Sequence, residues 1–148
     1  MTNLVTNLKN KNWYIIDASG NTLGRLTTEV VKIVLGKHKV NYLPYTDNGD
    51  CVIVINAKSV KITGKKEVQK IYYNHSGHPG GLKGERFIDL QTRFPERILE
   101  QSIRGMLPKN ILGRLLFKNV KIYSERFHPH KSQNPKLIEL GGKYYGGI

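Results

Sequence analysis

The sequence has 148 residues, of which 39% are apolar and 24% charged, and its formal net charge is +13. The apolar share is enough to bury a core, so the composition excludes an intrinsically disordered basic chain. So large a positive charge points to a polyanionic partner, with nucleic acid the first candidate and an anionic membrane surface the second. Lys and Arg outnumber Asp and Glu by six to four in residues 1–50, nine to five in residues 51–100 and nine to two in residues 101–148. The C-terminal third is therefore expected to bind an anion most strongly.

The single cysteine and the hydropathy pattern exclude several classes of protein. Cys51 alone cannot form an internal disulfide or a cysteine-based zinc cluster. Because it lies in an apolar run, it is predicted to be a small buried residue and not a nucleophile. No apolar stretch approaches the roughly 20 residues of a membrane-spanning helix, and the N-terminus lacks the apolar segment of a signal peptide. The sequence therefore predicts a soluble protein that is made in the compartment where it works.

A strand and a helix are predicted in the first third of the chain, after a flexible polar arm at residues 1–12. Residues 13–17 form the predicted strand, and the helix runs from Thr22, its predicted N-cap, to Gly36, its predicted stop. Apolar side chains recur at helical spacing between these two residues: Leu23, Leu26, Val30 and Val34. Gly24 is costly in a first helical turn, and close packing or a nearby RNA backbone would explain it.

Residues 51–55 are predicted to be the central strand of a sheet. Their sequence, Cys-Val-Ile-Val-Ile, has no polar alternation, which is typical of a strand covered on both faces. A parallel or mixed α/β sheet is therefore favoured over a one-sided antiparallel sheet. Asp47 and Asp50 flank Asn-Gly and are predicted to be turn residues. A further strand is predicted from Val68 to Tyr73, ahead of an irregular loop at residues 75–81.

A corner between two helices is predicted at residues 105–114. An apolar helix opens at Phe94-Pro95-Glu96 and is ended by Pro108, and a second short apolar helix covers residues 112–117. Three cations lie around the corner: Arg104, Lys109 and Arg114. The corner thus holds positive charge on a rigid frame.

The predicted domain organisation is simple. A last strand at residues 120–123 completes one α/β domain over residues 13–123. Apolar content falls after Ser124, so residues 124–148 are predicted to be an extended basic C-terminal tail.

The Gly-rich loop at residues 77–84 could contact phosphate through backbone N–H groups. It matches neither a Walker loop nor a dinucleotide-binding fingerprint. Three interpretations stay open: a flexible surface turn, a loop that lies against an RNA backbone, and the nucleotide-binding loop of an enzyme.

Four loop histidines raise the question of a metal site: His75, His78, His128 and His130. Only Glu125 stands near either pair as a further ligand, so hydrogen bonding and stacking with nucleic acid is the more economical role. No Ser-His-acid or Cys-His set can be proposed from spacing. Asp17, at a strand end, could be catalytic or could equally cap the following turn.

Basic residues and aromatic rings alternate in two stretches, a pattern that suits phosphate neutralisation and base stacking. The first contains Lys65, Lys66, Lys70, Tyr72, Tyr73 and His75, and the second contains Arg104, Lys109, Arg114, Lys118 and Lys121. A solvated basic face would explain one such cluster alone. More than one such cluster in a chain of net charge +13 favours a nucleic-acid surface.

Ordered blocks of residues make the chain similar to a known family. They include Trp13-Tyr14-Ile15-Ile16-Asp17, Thr22-Leu23-Gly24-Arg25-Leu26, Gly36-Lys37-His38-Lys39, Asp47-Asn48-Gly49-Asp50, Thr63-Gly64-Lys65-Lys66, Tyr72-Tyr73-Asn74-His75-Ser76-Gly77-His78-Pro79-Gly80-Gly81, Pro95-Glu96-Arg97 with the corner, and His128-Pro129-His130. Together they resemble the universal family thirteen of large-subunit ribosomal proteins, in its bacterial and plastid form. The departures include Ser124-Glu125, where the family usually has a Gly.

The resemblance implies a three-layer α/β/α domain with a small, mostly parallel sheet of about four strands, no catalysis and no cofactor. It implies binding to large-subunit ribosomal RNA during assembly, next to neighbouring large-subunit ribosomal proteins. The positions that it marks as RNA-facing are Lys37, His38, Lys39, Lys65, Lys66, Tyr73, His75, His78, Gly80, Gly81, Arg104, Lys109, Asn110, Arg114, Lys118, His128 and His130. The basic clusters and the Gly-rich loop add Lys70, Lys83 and Lys121.

Two other functions are weighed against a structural ribosomal role. An α/β enzyme acting on nucleotides or RNA through the Gly-rich His loop would need carboxylates or histidines that converge at strand ends. A module for membrane surfaces would need an amphipathic basic helix, whereas the cations here fall on loops and turns. Neither a membrane nor a small-molecule substrate is therefore expected. Lys outnumbers Arg by 17 to 7, which fits an A/T-rich genome, so a plastid ribosome is favoured over one in a bacterial cytoplasm.

Overall fold

The computed structural model describes residues 11–140. The predicted arm at residues 1–12 lies almost entirely outside this range, as does the end of the predicted tail, residues 141–148. The main sheet of the described chain has four parallel strands. In spatial order they are Val120–Ile122 (β5), Cys51–Ile55 (β2), Trp13–Asp17 (β1) and Lys136–Ile138 (β6). The predicted α/β class with a small parallel sheet is confirmed.

Strand β2 lies inside the sheet because every one of its side chains is apolar. All five residues are buried, and β1 pairs with β2 along its whole length, from Trp13 opposite Cys51 to Asp17 opposite Ile55. Strand β5 pairs with the other edge of β2. A strand in this position has no solvent-facing side, so the unbroken apolar run correctly predicted it.

Helix α1 (Leu23–Leu35) follows β1 and presents its apolar stripe to the core. It ends where Gly36 adopts a left-handed conformation, with φ of 76°, that glycine adopts without strain. The loop that follows passes close to the helix end: a Cβ at Gly49 would lie 1.7 Å from the carbonyl oxygen of Val34. The predicted stop of the helix is confirmed, and the return loop is closely packed on it.

Three further helices cover the same face of the sheet as α1. They are Phe87–Arg93 (α3), Pro95–Met106 (α4) and Ile111–Phe117 (α5). One core cluster joins them to the sheet, with Ile16, Leu26, Val30, Val54, Leu99, Ile103 and Leu116 among its buried members. The opposite face of β2 is also buried, because Cys51, Ile53 and Ile55 are at most 8% exposed. No helix among residues 11–140 has both the length and the apolar character needed to cross a membrane.

A hairpin extends from this domain. Its strands are Ile71–His75 (β3) and Leu82–Arg86 (β4), paired antiparallel, and most of their side chains are exposed. The strand predicted from Val68 begins three residues later, since Val68 lies in a short helix, Lys66–Gln69 (α2). The predicted irregular loop at residues 75–81 is the turn of the hairpin. Strand β4 was not predicted, because its sequence, Leu-Lys-Gly-Glu-Arg, has no apolar alternation.

Strand β6 was also not predicted. Residues 136–138 fall in the segment expected to be an extended tail, yet they pair with Tyr14, Ile15 and Ile16 of β1. The sheet therefore does not end with β5. The strand has only three residues, and its central side chain, Leu137, is 65% exposed, so no hydrophobic pattern distinguishes it from a tail.

Candidate nucleic-acid interface

The predicted corner between α4 and α5 is present, and its backbone is held by short-range contacts. The side chain of Asn110 accepts a hydrogen bond of 2.8 Å from the backbone N–H of Gly113 and so caps α5. A Cβ at Gly113 would lie 1.8 Å from the carbonyl oxygen of Pro108. The first turn of α5 therefore packs directly on Pro108 in the connection from α4, and only glycine fits there.

Four cations project from this corner, and we call them the corner surface: Arg104, Lys109, Arg114 and Lys118. All four are exposed. The guanidinium of Arg104 lies 4.7 Å from the centre of the Phe117 ring, a cation–π contact between α4 and α5. Within residues 11–140, none of the four pairs with a carboxylate. The corner surface thus has positive charge that the described chain does not neutralise.

The hairpin presents an exposed aromatic ring on a defined backbone. Tyr73 is 62% exposed and lies opposite Gly84 in the antiparallel register. A Cβ at Gly84 would come within 3.2 Å of the Tyr73 ring, so the ring lies close over the glycine. An exposed ring supported in this way is suited to stack on an unpaired base.

The turn of the hairpin uses glycine for its backbone shape. Gly77 and Gly80 have φ of 89° and 72°, and the ring of His75 accepts a 2.9 Å hydrogen bond from the backbone N–H of Gly77. A Cβ at Gly81 would lie 2.1 Å from the hydroxyl oxygen of Ser76. Contacts among residues of the turn therefore hold its shape. His78 in the turn and Lys83 on β4 are both exposed.

The predicted cations at residues 37–39 are in a different setting. Asp50 is fully buried, and it accepts contacts of 2.5 Å from Lys39 Nζ and 3.0 Å from the backbone N–H of Asn12. Its second oxygen lies 2.9 Å from Nε2 of His38. Asp50 was predicted to be a turn residue, and the structure corrects this: it is the buried acceptor that fixes the loop after α1. RNA contact by His38 and Lys39 stays a prediction, as does contact by the exposed Lys37.

The two C-terminal histidines lie against aromatic side chains of the sheet. The ring of His130 is 5.1 Å from that of Trp13, and its Nε2 is 2.9 Å from the Tyr123 hydroxyl. His128 stacks on His130 with ring centres 6.5 Å apart. Burial, with the positive charges of Lys121 and His128, lowers the pKa of His130 below its ordinary value. His130 thus packs against Trp13 and Tyr123, and RNA contact by the two histidines stays a prediction.

The carboxylates named for an enzyme are not brought together. Asp17 ends β1 and Asp50 precedes β2, so in a parallel pair they lie at opposite ends, roughly 16 Å apart along the strands. Partial burial opposes the charged form of Asp17, but hydrogen bonds from Ser19 and Asn56 hold its pKa below its ordinary value. The His loop is on the separate hairpin sheet. No group of three His, Cys, Asp or Glu side chains that could hold a metal ion occurs among residues 11–140.

Cys51 is buried at the start of β2, as predicted. Burial raises the pKa of its thiol, and the charges of Asp50 and Asp47 raise it further, against the opposing effect of Lys11 and Lys121. A neutral buried thiol has packing contacts and little nucleophilic character.

Comparison with known protein families identifies the family of this chain. The family model described as ribosomal protein L13 matches residues 11–129. The chain belongs to the ribosomal protein L13 family. The matched range contains the hairpin, the corner surface and both predicted histidine pairs, except for His130.

Curated relatives of this L13-family chain share about half of its residues over most of its length. The large ribosomal subunit protein uL13 of the cyanobacterium Gloeothece citriformis is 55% identical over 130 residues, 88% of this chain and 86% of the relative. That of one strain of the cyanobacterium Prochlorococcus marinus is 52% identical over 131 residues, covering 88% and 87%. That of a Geobacillus species is 51% identical over 132 residues, covering 89% and 91%.

Two cations near the predicted ones were missed by the sequence analysis. Arg25 and Lys61 line one groove together with Lys66 and Lys70. The four cations come from three parts of the chain, around residues 25, 61 and 66–70, so no local cluster indicates Arg25 and Lys61. The one local sign is Gly24-Arg25 in the first turn of α1, where an acidic residue would stabilise the helix and a glycine destabilises it by about 1 kcal/mol.

Proposed function

We propose that this protein is a non-catalytic structural component of the large ribosomal subunit that binds large-subunit ribosomal RNA and supports its assembly. The observation that carries the proposal is the family match over residues 11–129, together with relatives named as large ribosomal subunit proteins over most of this chain. The net charge of +13 supports it independently.

The electrostatic arrangement supports RNA as the partner. Cations that lack a carboxylate neighbour gain most from phosphate, because each contact releases a condensed counterion from the RNA. The corner surface meets this condition within the described chain. Its residues lie on α4, on α5 and on the connection between them, which the Asn110 cap and the Gly113 contact hold in place. Binding would therefore order few side chains beyond the cations themselves.

The hairpin is proposed to reach a single-stranded or bulged region of the RNA. Tyr73 would stack on an unpaired base, while Lys83 and the turn glycines would contact the backbone. Lys65 and Lys66, exposed beside the hairpin, would extend the contact to further phosphates. Neighbouring ribosomal proteins are the second class of partner.

The proposed site of action is a ribosome in a plastid or in a bacterial cytoplasm. Cyanobacterial relatives at 52% and 55% identity fit a plastid, since plastids share ancestry with cyanobacteria. The Geobacillus relative at 51% is nearly as similar, so both locations belong to the proposal.

Binding to purified RNA tests the proposal directly. We expect the protein to bind large-subunit RNA more tightly than small-subunit RNA, with affinity that falls steeply as salt rises. In a second assay the protein is expected to sediment with the large subunit after a high-salt wash. Equal affinity for both RNAs, or affinity that does not depend on salt, would contradict the proposal.

A further inference from the structure

A groove beside the start of α1 lies apart from the corner surface and the hairpin turn. One wall is the beginning of α1, from Thr22 to Arg25, and the other is α2 with Lys66 and Lys70. Residues 61–63 and Ser102 complete the lining, and the volume is about 530 Å³. A groove of this size has room for a short stretch of an extended polymer.

Backbone hydrogen bonds hold each wall of the groove to the rest of the domain. The backbone N–H of Leu23 donates to the carbonyl of Lys61 at 2.9 Å, and the N–H of Lys61 donates to Asn21 at 3.0 Å. On the opposite wall, the carbonyl of Lys70 accepts a 2.9 Å bond from Phe87. The Nζ atom of Lys70 lies 4.8 Å from the centre of the Tyr72 ring. The cations therefore stand on a frame that does not need to form on binding.

The charge in the groove is all of one sign. Among the described residues, its lining contains four cations and no carboxylate: Arg25, Lys61, Lys66 and Lys70. None of the four forms an ion pair within residues 11–140. The groove between the hairpin and α4 differs, because Glu85 and Glu100 stand there among Lys83, Arg97 and Arg104. Four like charges around one groove repel each other, and an anion would relieve that repulsion.

Three features at the start of α1 weaken the helix. Gly24 occupies the first turn, yet beyond its chain neighbours and its own helical backbone nothing in the structure lies within 4 Å of where its Cβ would be, so internal packing does not require glycine. No acidic residue faces the positive helix end, and Arg25 stands there instead. Thr22 is at the N-cap position, but its side chain makes no capping hydrogen bond. Residues that reduce local stability are expected to cluster at binding sites.

We propose that this groove binds the sugar–phosphate backbone of an RNA strand, which approaches most closely at Gly24 while the four cations contact its phosphates. The inference rests on the proposed function and assigns it a site that includes Gly24, Arg25 and Lys61. Backbone contacts position the protein on its RNA and do not discriminate bases. Removing them should therefore weaken binding to large- and small-subunit RNA by the same factor.

The substitution Gly24→Ala tests the closest approach. A methyl group has open space in the unbound protein, and alanine favours a helix more than glycine does, so the melting temperature should rise or stay the same. Affinity for large-subunit RNA should nevertheless fall by about tenfold at about 0.1 M salt, the effect of losing one phosphate contact. Opposite effects on stability and affinity cannot come from a damaged fold. Unchanged affinity would overturn the proposal.

The charge is tested by Arg25→Ala against Lys32→Ala, two substitutions on the same helix that remove the same charge. Lys32 is paired with Glu29 and lies outside the groove. Arg25→Ala should reduce the slope of log affinity against log salt by about one, while Lys32→Ala should leave it unchanged. Equal effects of the two variants would show only long-range attraction and would overturn the proposal.

The proposed function and the assignment of the groove can be refuted separately. If the wild-type protein does not prefer large-subunit RNA, the proposed function fails. If it does, while Gly24→Ala and Arg25→Ala bind with wild-type affinity and salt slope, only the groove assignment fails.

Discussion

The segment at residues 37–39 and the corner surface are both rich in cations, yet their cations do different things in the fold. In the first, Lys39 and His38 contact the buried Asp50. In the second, Lys109, Arg114 and Lys118 have no carboxylate partner within residues 11–140. A basic cluster in a sequence is therefore either part of the fold or available to a ligand, and only the position of the acidic residues separates the two.

Paired and unpaired cations differ in what they contribute to stability and to RNA binding. A cation that is paired with a buried carboxylate is part of the native structure. Removing either charge leaves the other uncompensated in a poorly solvated place. An exposed cation without a partner contributes little to stability and much to polyanion binding. Substitutions in the first region should change the free energy of unfolding, whereas those in the second should change affinity for RNA.

The largest loss of stability is expected from Asp50→Asn. It removes the buried charge that faces Lys39 and His38, so the free energy of unfolding should fall by about 3 kcal/mol, as measured by urea denaturation. Glu85→Gln is the matched control, because Glu85 pairs with Arg93 at an exposed site and should cost less than about 1 kcal/mol. Equal losses in the two variants would contradict a special role of Asp50.

Gly113→Ala should have the next largest effect. The added Cβ meets the carbonyl oxygen of Pro108, and relieving this clash by moving backbone should cost about 2 kcal/mol. Gly105→Ala is the control, because the space around Gly105 in α4 is open and alanine should be tolerated or stabilising. Thermal denaturation of both variants gives the comparison, and a stable Gly113→Ala protein would show that the corner is not fixed by this contact.

Asn110→Ala should cost about 1 kcal/mol, because it removes the cap of α5. Asn110→Ser restores an acceptor and should recover most of the loss in the same denaturation assay. If both variants are as stable as the wild type but bind RNA less tightly, Asn110 acts on the RNA and not on the helix.

A smaller, pH-dependent effect is expected from His130. Its pKa is lowered in the folded state, so the unfolded chain binds the proton more readily below about pH 6.5. The stabilising effect of the neutral ring is present above that pH and is lost as pH falls through the folded pKa. Melting temperatures measured on either side of about pH 6.5 should therefore differ more in the wild type than in His130→Gln. An equal pH dependence in both proteins would rule out this contribution.

The smallest effect on stability, and the largest on binding, is expected from Lys109→Glu combined with Arg114→Glu. Both side chains are exposed and unpaired within the described chain, so unfolding should stay cooperative and change by less than about 0.5 kcal/mol. The salt slope of RNA binding should fall by about two, one for each lost phosphate contact. An unfolded double variant would mean that these charges stabilise the core.

The sequence predicts those parts of the fold whose pattern is local. The apolar run at residues 51–55 predicts the central strand, and Pro108 between two apolar stripes predicts the corner. Asp50 was misassigned because its partners are Lys39, His38 and the backbone of Asn12, and nothing next to it in the sequence shows that it is buried. The contact of Gly113 with Pro108 likewise could not be predicted, because the glycine itself is the only indication of it in the sequence.

The candidate interface could be predicted only in part. Charge indicated the corner surface and the hairpin correctly as exposed basic regions, but the groove is assembled from α1, residues 61–63 and α2. Arg25 and Lys61 are single cations in the sequence, and they meet only because Lys61 hydrogen-bonds beside the start of α1. Proximity of this kind depends on the tertiary fold.

Strand β6 has a consequence for how the chain folds during synthesis. The outer edge of β1 pairs with residues 136–138, about 120 residues later in the chain. While translation is in progress, that edge of β1 has exposed backbone N–H and C=O groups that could pair with another extended strand. Because such distant pairing also slows folding, the edge of the first strand stays open to misassembly until residues 136–138 have been synthesised and have paired with it.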